Sequence, residues 1–217
     1  MAATVAVSAG LANNATQAGE ITARIVDRDG QPVPEVAVFA RAVDAHAQPA
    51  SMKSTAPSTM NQRGSAFDPH LLIVPTGTRV EFPNGDDLRH HVYSFSPAAR
   101  FNFSIDAGSV HEALQFDTPG VVTLGCNIHD DMLGYILVVE TSAFGKTDQH
   151  GMVSLSELPP GRYHVEIWTP RISSKRLPEA VLIDVPAETA ASFEYQFDTK
   201  LYPPHRHSAT SLEWGAY

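Results

Sequence analysis

Cysteine is nearly absent: Cys126 is the single one among 217 residues. No disulfide can form within the chain. Zinc sites built on four cysteines, or on two cysteines and two histidines, are excluded, and so is a copper centre with two bridging thiolates. No run of about 18 apolar residues occurs, so no helical membrane span is expected. Positive charge is scarce, with 15 Lys and Arg against 24 Asp and Glu and a net charge of −9. A general nucleic-acid binder would need basic stripes instead. Long helical periodicity is missing. No Ser/His/Asp or paired-carboxylate motif stands out, so the chain does not read as an enzyme.

Enough apolar material is present, at 43%, to fill the core of one large domain or two small ones. It comes in short alternating runs. Ile21, Ala23 and Ile25 alternate with polar positions, and Asp27-Arg28-Asp29-Gly30 marks a turn. Leu71-Leu72-Ile73-Val74-Pro75, Arg79-Val80-Glu81-Phe82, the run ending Val92-Tyr93-Ser94-Phe95, and Ala113-Leu114-Gln115-Phe116 read as strands. Residues 102–110 are polar and read as a loop or a short strand pair. Later, Tyr163, Val165 and Ile167 alternate with His164, Glu166 and Trp168 after the turn Leu158-Pro159-Pro160-Gly161. Many short strands between Pro/Gly turns predict an all-β sandwich or barrel.

The ends and one internal stretch differ. Residues 1–19 carry no charged side chain, and their small-residue end is leader-like without a basic start. That composition suggests an exported, periplasmic protein. Residues 44–66, rich in Ala, Ser, Thr, Pro and Gln, read as a linker or loose excursion in which His46, Met52 and Met60 are incidental. The tail, 201–217, has no period, and its His205 and His207 read as flexible-tail residues.

Chemistry concentrates in Cys126-Asn127-Ile128-His129-Asp130-Asp131-Met132. A strand leads in, and Leu133-Gly134-Tyr135-Ile136-Leu137-Val138-Val139 leads out. One loop thus offers a thiolate, an imidazole and a thioether. A trigonal set of two histidines and a cysteine, with a weak axial methionine, suits copper. A second histidine must come from elsewhere, and the adjacent pair His90 and His91 offers one.

The segment 67–140 resembles the cupredoxins. In that group a Pro-Gly turn, here Pro119-Gly120, leads into a strand ending at a ligand Cys, and a ligand His and Met follow. The Cys-x2-His-x2-Met spacing is similar to the short form in amicyanin. The group's first ligand His follows an Asn by six residues, a frame matched by Asn84 and His90. The resemblance therefore implies a copper ligand set of His90, Cys126, His129 and Met132, with His91 the alternative to His90 because the group's usual neighbouring Asn is an imidazole here. It also implies that Asn84 braces the thiolate loop and that Phe82, Val92 and Ile136 pack around the metal. Val80-Glu81-Phe82-Pro83-Asn84 and Met132-Leu133-Gly134-Tyr135 also look like exported proteins labelled methylamine-utilisation proteins. The flanks resemble carboxypeptidase regulatory-like, prealbumin-type modules.

The expected organisation is a leader (1–19), a discontinuous prealbumin-like β-sandwich (20–55 and 141–200), an inserted cupredoxin Greek-key β-sandwich (56–140) and a tail (201–217). The expected function is a type 1 copper protein carrying single electrons between redox partner proteins. A copper accessory protein or a copper-free interaction module are the alternatives. Asp130 and Asp131, beside His129, would favour a basic partner.

Overall fold

A computed structural model describes residues 18–44, 56–129, 131–187 and 189–204. Most of the leader, His46, Met52, Asp130, His205 and His207 lie outside the described residues. The strands are β1 (Gly19–Val26), β2 (Ala37–Ala42), β3 (Ser58–Thr59), β4 (Asn61–Gln62), β5 (Phe67–Asp68), β6 (Leu71–Pro75), β7 (Thr78–Pro83), β8 (His90–Ser96) and β9 (Ala99–Ile105). They continue as β10 (Val110–Phe116), β11 (Gly120–Gly125), β12 (Leu133–Val139), β13 (Phe144–Lys146), β14 (Met152–Leu158), β15 (Gly161–Trp168), β16 (Val181–Val185) and β17 (Ala190–Gln196).

These strands form two sandwiches, and the all-β expectation holds. In the first, the sheet β6-β12-β11-β8-β9 faces the sheet β10-β7-β3, with the ribbon β4-β5 beside them. The chain crosses between sheets from β7 to β8 and from β9 to β10, in Greek-key fashion. Alternation decides which side chains enter its core, because successive strand residues point to opposite faces. The even positions Val92 of β8, Val122 and Leu124 of β11, and Ile136 and Val138 of β12 are all buried together with Val80, Phe82 and Phe116. The second sandwich pairs β14-β1-β17 with β13-β2-β15-β16. Ile21, Ala23 and Ile25 of β1 meet Tyr163, Val165 and Ile167 of β15 in its core.

A third apolar cluster joins the two. Leu137 and Val139, on the opposite face of β12, pack with Leu71, Ile73, Ala37 and Trp168. Both faces of β12 are thus covered, which explains its nearly continuous apolar sequence. Trp168 packs edge-on to Tyr135 at 5.5 Å between ring centroids.

One expectation needs correction. Met60 is not incidental: it is fully buried in the first core, and β3 and β4 on either side of it pair with β7 and β5. The polarity of the neighbouring Ser, Thr, Asn and Gln hid these edge strands. Over 102–110 the strand alternative holds at both ends, with a turn between: β9 pairs along its whole length with β8, from Ala99 opposite Ser96 to Ile105 opposite His90, and β10 begins at Val110.

Candidate metal centre

The ligand loop inherits its direction from the strands around it. β11 ends at Gly125, which pairs with Tyr93 of β8, so Cys126 continues the inward parity of Val122 and Leu124. The turn that follows closes with the Met132 N–H donating to the His129 carbonyl at 3.0 Å. Met132 then re-enters the core in step with Ile136 and Val138 of β12. Cys126 and Met132 are 4% and 2% exposed and belong to one buried cluster.

β8 separates the two candidate histidines by the same alternation. His90 points inward and is fully buried, while His91 lies on the outer face. The Nδ1 of His90 is 4.0 Å from the Cys126 Sγ, and the Nδ1 of His129 is 3.9 Å from it. The three donor atoms lie within 4.8 Å of one another. Bonds of about 2.0 Å to nitrogen and about 2.3 Å to sulfur, as for zinc, span up to about 4.3 Å, so a single ion can reach the thiol and either imidazole. Two imidazoles and one thiolate, with the Met132 thioether in the same buried core cluster, form a soft donor set that fits copper. His91 accepts a 2.6 Å hydrogen bond from Asn127 Nδ2 instead.

Electrostatics prepare the thiol for a cation. Burial alone would push the Cys126 thiol up. Opposing it, a hydrogen bond with His90, the backbone N–H groups of His91 and Ile128, and His129 bring the thiol down from 9.0 to about 6. A thiolate beside imidazoles and backbone donors is the expected result. The matching shift appears in His90: burial pulls it down, but Cys126 and then Asp86 raise it above its ordinary 6.5.

The role expected for Asn84 is corrected. Its Nδ2 donates to the carbonyls of Leu88, Ile105 and Asp106 at 2.8–3.2 Å, and its Oδ1 accepts the Asp86 N–H at 3.0 Å. Asn84 therefore braces the turn leading to His90, not the cysteine loop. It begins at the end of β7, on the His90 side of the site, which is why its reach stops there.

Sequence reasoning missed Asp86 and Asn127. Asp86 accepts the Nε2–H of His90 at 2.7 Å. Its only sequence signal is an acid four residues before a histidine, which many exposed turns share. The expected neighbours Phe82, Val92 and Ile136 are all fully buried in the core that holds Cys126. His129 is half-buried, and the neighbouring Ile128 is 55% exposed.

No family model and no curated protein matches the sequence. Solved structures do. The chain is similar to a purple cupredoxin from Nitrosopumilus maritimus, at 21% identity over 38% of this chain and 99% of that one, with a TM-score of 0.34. It is similar to the Cu(I) form of a mutant amicyanin, at 17% identity over 46% and 99%, with a TM-score of 0.36. A copper-containing nitrite reductase from Thermus scotoductus gives 27% identity over 54% of this chain, a TM-score of 0.35, and a match to 28% of its own length.

Proposed function

We propose that the protein is a type 1 copper protein that carries single electrons between redox partner proteins in the periplasm or another exported compartment. The observation that carries this reading is a buried thiol held between two imidazole Nδ1 atoms, at 3.9 and 4.0 Å, with Met132 in the same core cluster. Copper bound there would supply one-electron redox chemistry. Cys126, depressed to about 6, would bind as thiolate. His90 and His129 would bind through Nδ1, and Met132 would offer a weak thioether donor.

The chain's own residues suit transfer rather than substrate turnover. Phe82, Val92 and Ile136 share one buried core cluster with Cys126, and that burial keeps water from the thiolate. Four protein donors leave no position for a substrate, in contrast to catalytic metal sites with an open coordination position. The half-buried His129 offers the route for the electron to a partner. We read the second sandwich as the prealbumin-type module, serving as a support or a partner-binding surface.

Voltammetry of the copper-loaded protein tests the proposal. A reversible one-electron wave at positive potential is expected, and its absence from a copper-loaded sample contradicts the carrier reading. The enclosed site weighs against a copper chaperone, whose metal must be reached by an exchanging partner. Stoichiometric copper in the purified protein would remove the copper-free interaction module.

A further inference from the structure

The carboxylate of Asp86 is held by three hydrogen bonds beside the site. Its Oδ2 accepts the His90 Nε2–H at 2.7 Å and the Ser65 N–H at 3.0 Å, and its Oδ1 accepts the Gly64 N–H at 2.6 Å. Gly64 and Ser65 both have positive φ, +61° and +56°, in the turn between β4 and β5. Successive N–H groups in such a turn make a concavity for an anion. The His90 ring is fully buried and the Asp86 side chain 12% exposed, so water screens the contact weakly. Asn84 fixes the Asp86 backbone from the other side.

This arrangement dictates which nitrogen of His90 is the donor. A carboxylate can only accept, so Nε2 carries hydrogen, and in the neutral ring the lone pair falls on Nδ1. Nδ1 is the atom that faces Cys126. A negative charge on the far side of the ring also makes that lone pair more basic.

We propose that Asp86 is a positioning residue of the metal centre, locking His90 with its Nδ1 toward Cys126 and favouring the more highly charged, oxidised metal, so that it holds the reduction potential down. This inference rests on the copper reading above. It goes beyond it by assigning the control of potential to a side chain outside the ligand set and to the β4–β5 turn that carries it.

The test compares Asp86→Asn with the wild type, both copper-loaded, once the wild type has shown its thiolate-to-copper absorption. Absence of that absorption in the wild type overturns the copper reading, and this inference with it. With it present, the variant decides the role of Asp86 alone. Asparagine keeps the shape but removes the charge. Cu(II) affinity is expected to fall by about 10-fold or more and Cu(I) affinity by less. A 10-fold difference between them raises the potential by about 59 mV for one electron. An unchanged potential in a variant that retains the absorption overturns the proposal, as does an equal loss of both affinities, which marks a merely structural role. A second measurement needs no variant. In the Cu(I)-loaded wild type the His90 Nε2 proton should exchange with water far more slowly than that of the half-buried His129. Equal exchange overturns the proposal.

Discussion

His91 accepts a 2.6 Å hydrogen bond from Asn127 Nδ2, which ties the outer face of β8 to the residue after Cys126 and occupies the imidazole that might have competed with His90. Substituting each histidine separates the two. His90→Ala should abolish the intense visible band of the copper-loaded protein. His91→Ala should retain it and lower stability by only about 0.5–1.5 kcal/mol, the worth of one hydrogen bond. Absorption spectra and urea unfolding of both variants check this.

The metal-free thiol should react as a thiolate at low pH. Its alkylation rate should rise with a midpoint near the value of about 6, not near 9.0. Stability follows the same shift. A depressed thiol contributes stability that is fully present above its unfolded value and lost as pH falls through about 6. His90, raised by Cys126 and Asp86, has the opposite sign. Its contribution is full below 6.5 and lost as pH rises through its raised value. The metal-free protein should therefore lose stability as pH falls through about 6, and thermal melts of Cys126→Ser should lack that fall on the acid side.

Met132 belongs to the core that holds Cys126. It is 2% exposed, so Met132→Ala leaves a cavity and should cost about 2–5 kcal/mol in chemical unfolding. Met132→Leu keeps volume and should cost less than about 1.5 kcal/mol. In the copper-loaded protein the leucine variant should still shift the reduction potential, because it removes the thioether donor while leaving packing nearly intact.

Two glycines near the site should behave differently. A Cβ on Gly134 would meet the Phe67 Cβ at 2.7 Å and Cγ at 2.9 Å, deep in the core. Gly134→Ala should cost about 1–3 kcal/mol, the usual penalty of overpacking. A Cβ on Gly125 would meet the Tyr93 ring end, with Cζ at 2.5 Å and Oη at 2.6 Å. Tyr93 is half-buried and can swing outward, so Gly125→Ala should cost less than Gly134→Ala in the same unfolding assay.

The sequence carried the strand pattern well wherever one face is wet. The alternations in β1 and β15 put the right residues inside. It failed at β3 and β4, two-residue edge strands whose polar side chains look like linker although Met60 between them is fully buried. At the site, the loop from Cys126 to Met132 was legible because its donors are close in the chain. The choice between His90 and His91 was not, since it depends on the register of β8: a one-residue slip would exchange their faces. Asp86 was illegible for a related reason. Its meaning comes from the Gly64 and Ser65 N–H groups, 22 and 21 residues away.

The central claim is that Cys126, flanked by His90 and His129, binds copper as a thiolate. The most direct test adds Cu(II) to the purified protein and to Cys126→Ser, and records visible absorption and electron paramagnetic resonance. The account predicts an intense blue or green band with narrow copper hyperfine splitting in the wild type, both lost in the serine variant. A pale spectrum with ordinary splitting, unchanged by the substitution, would contradict it.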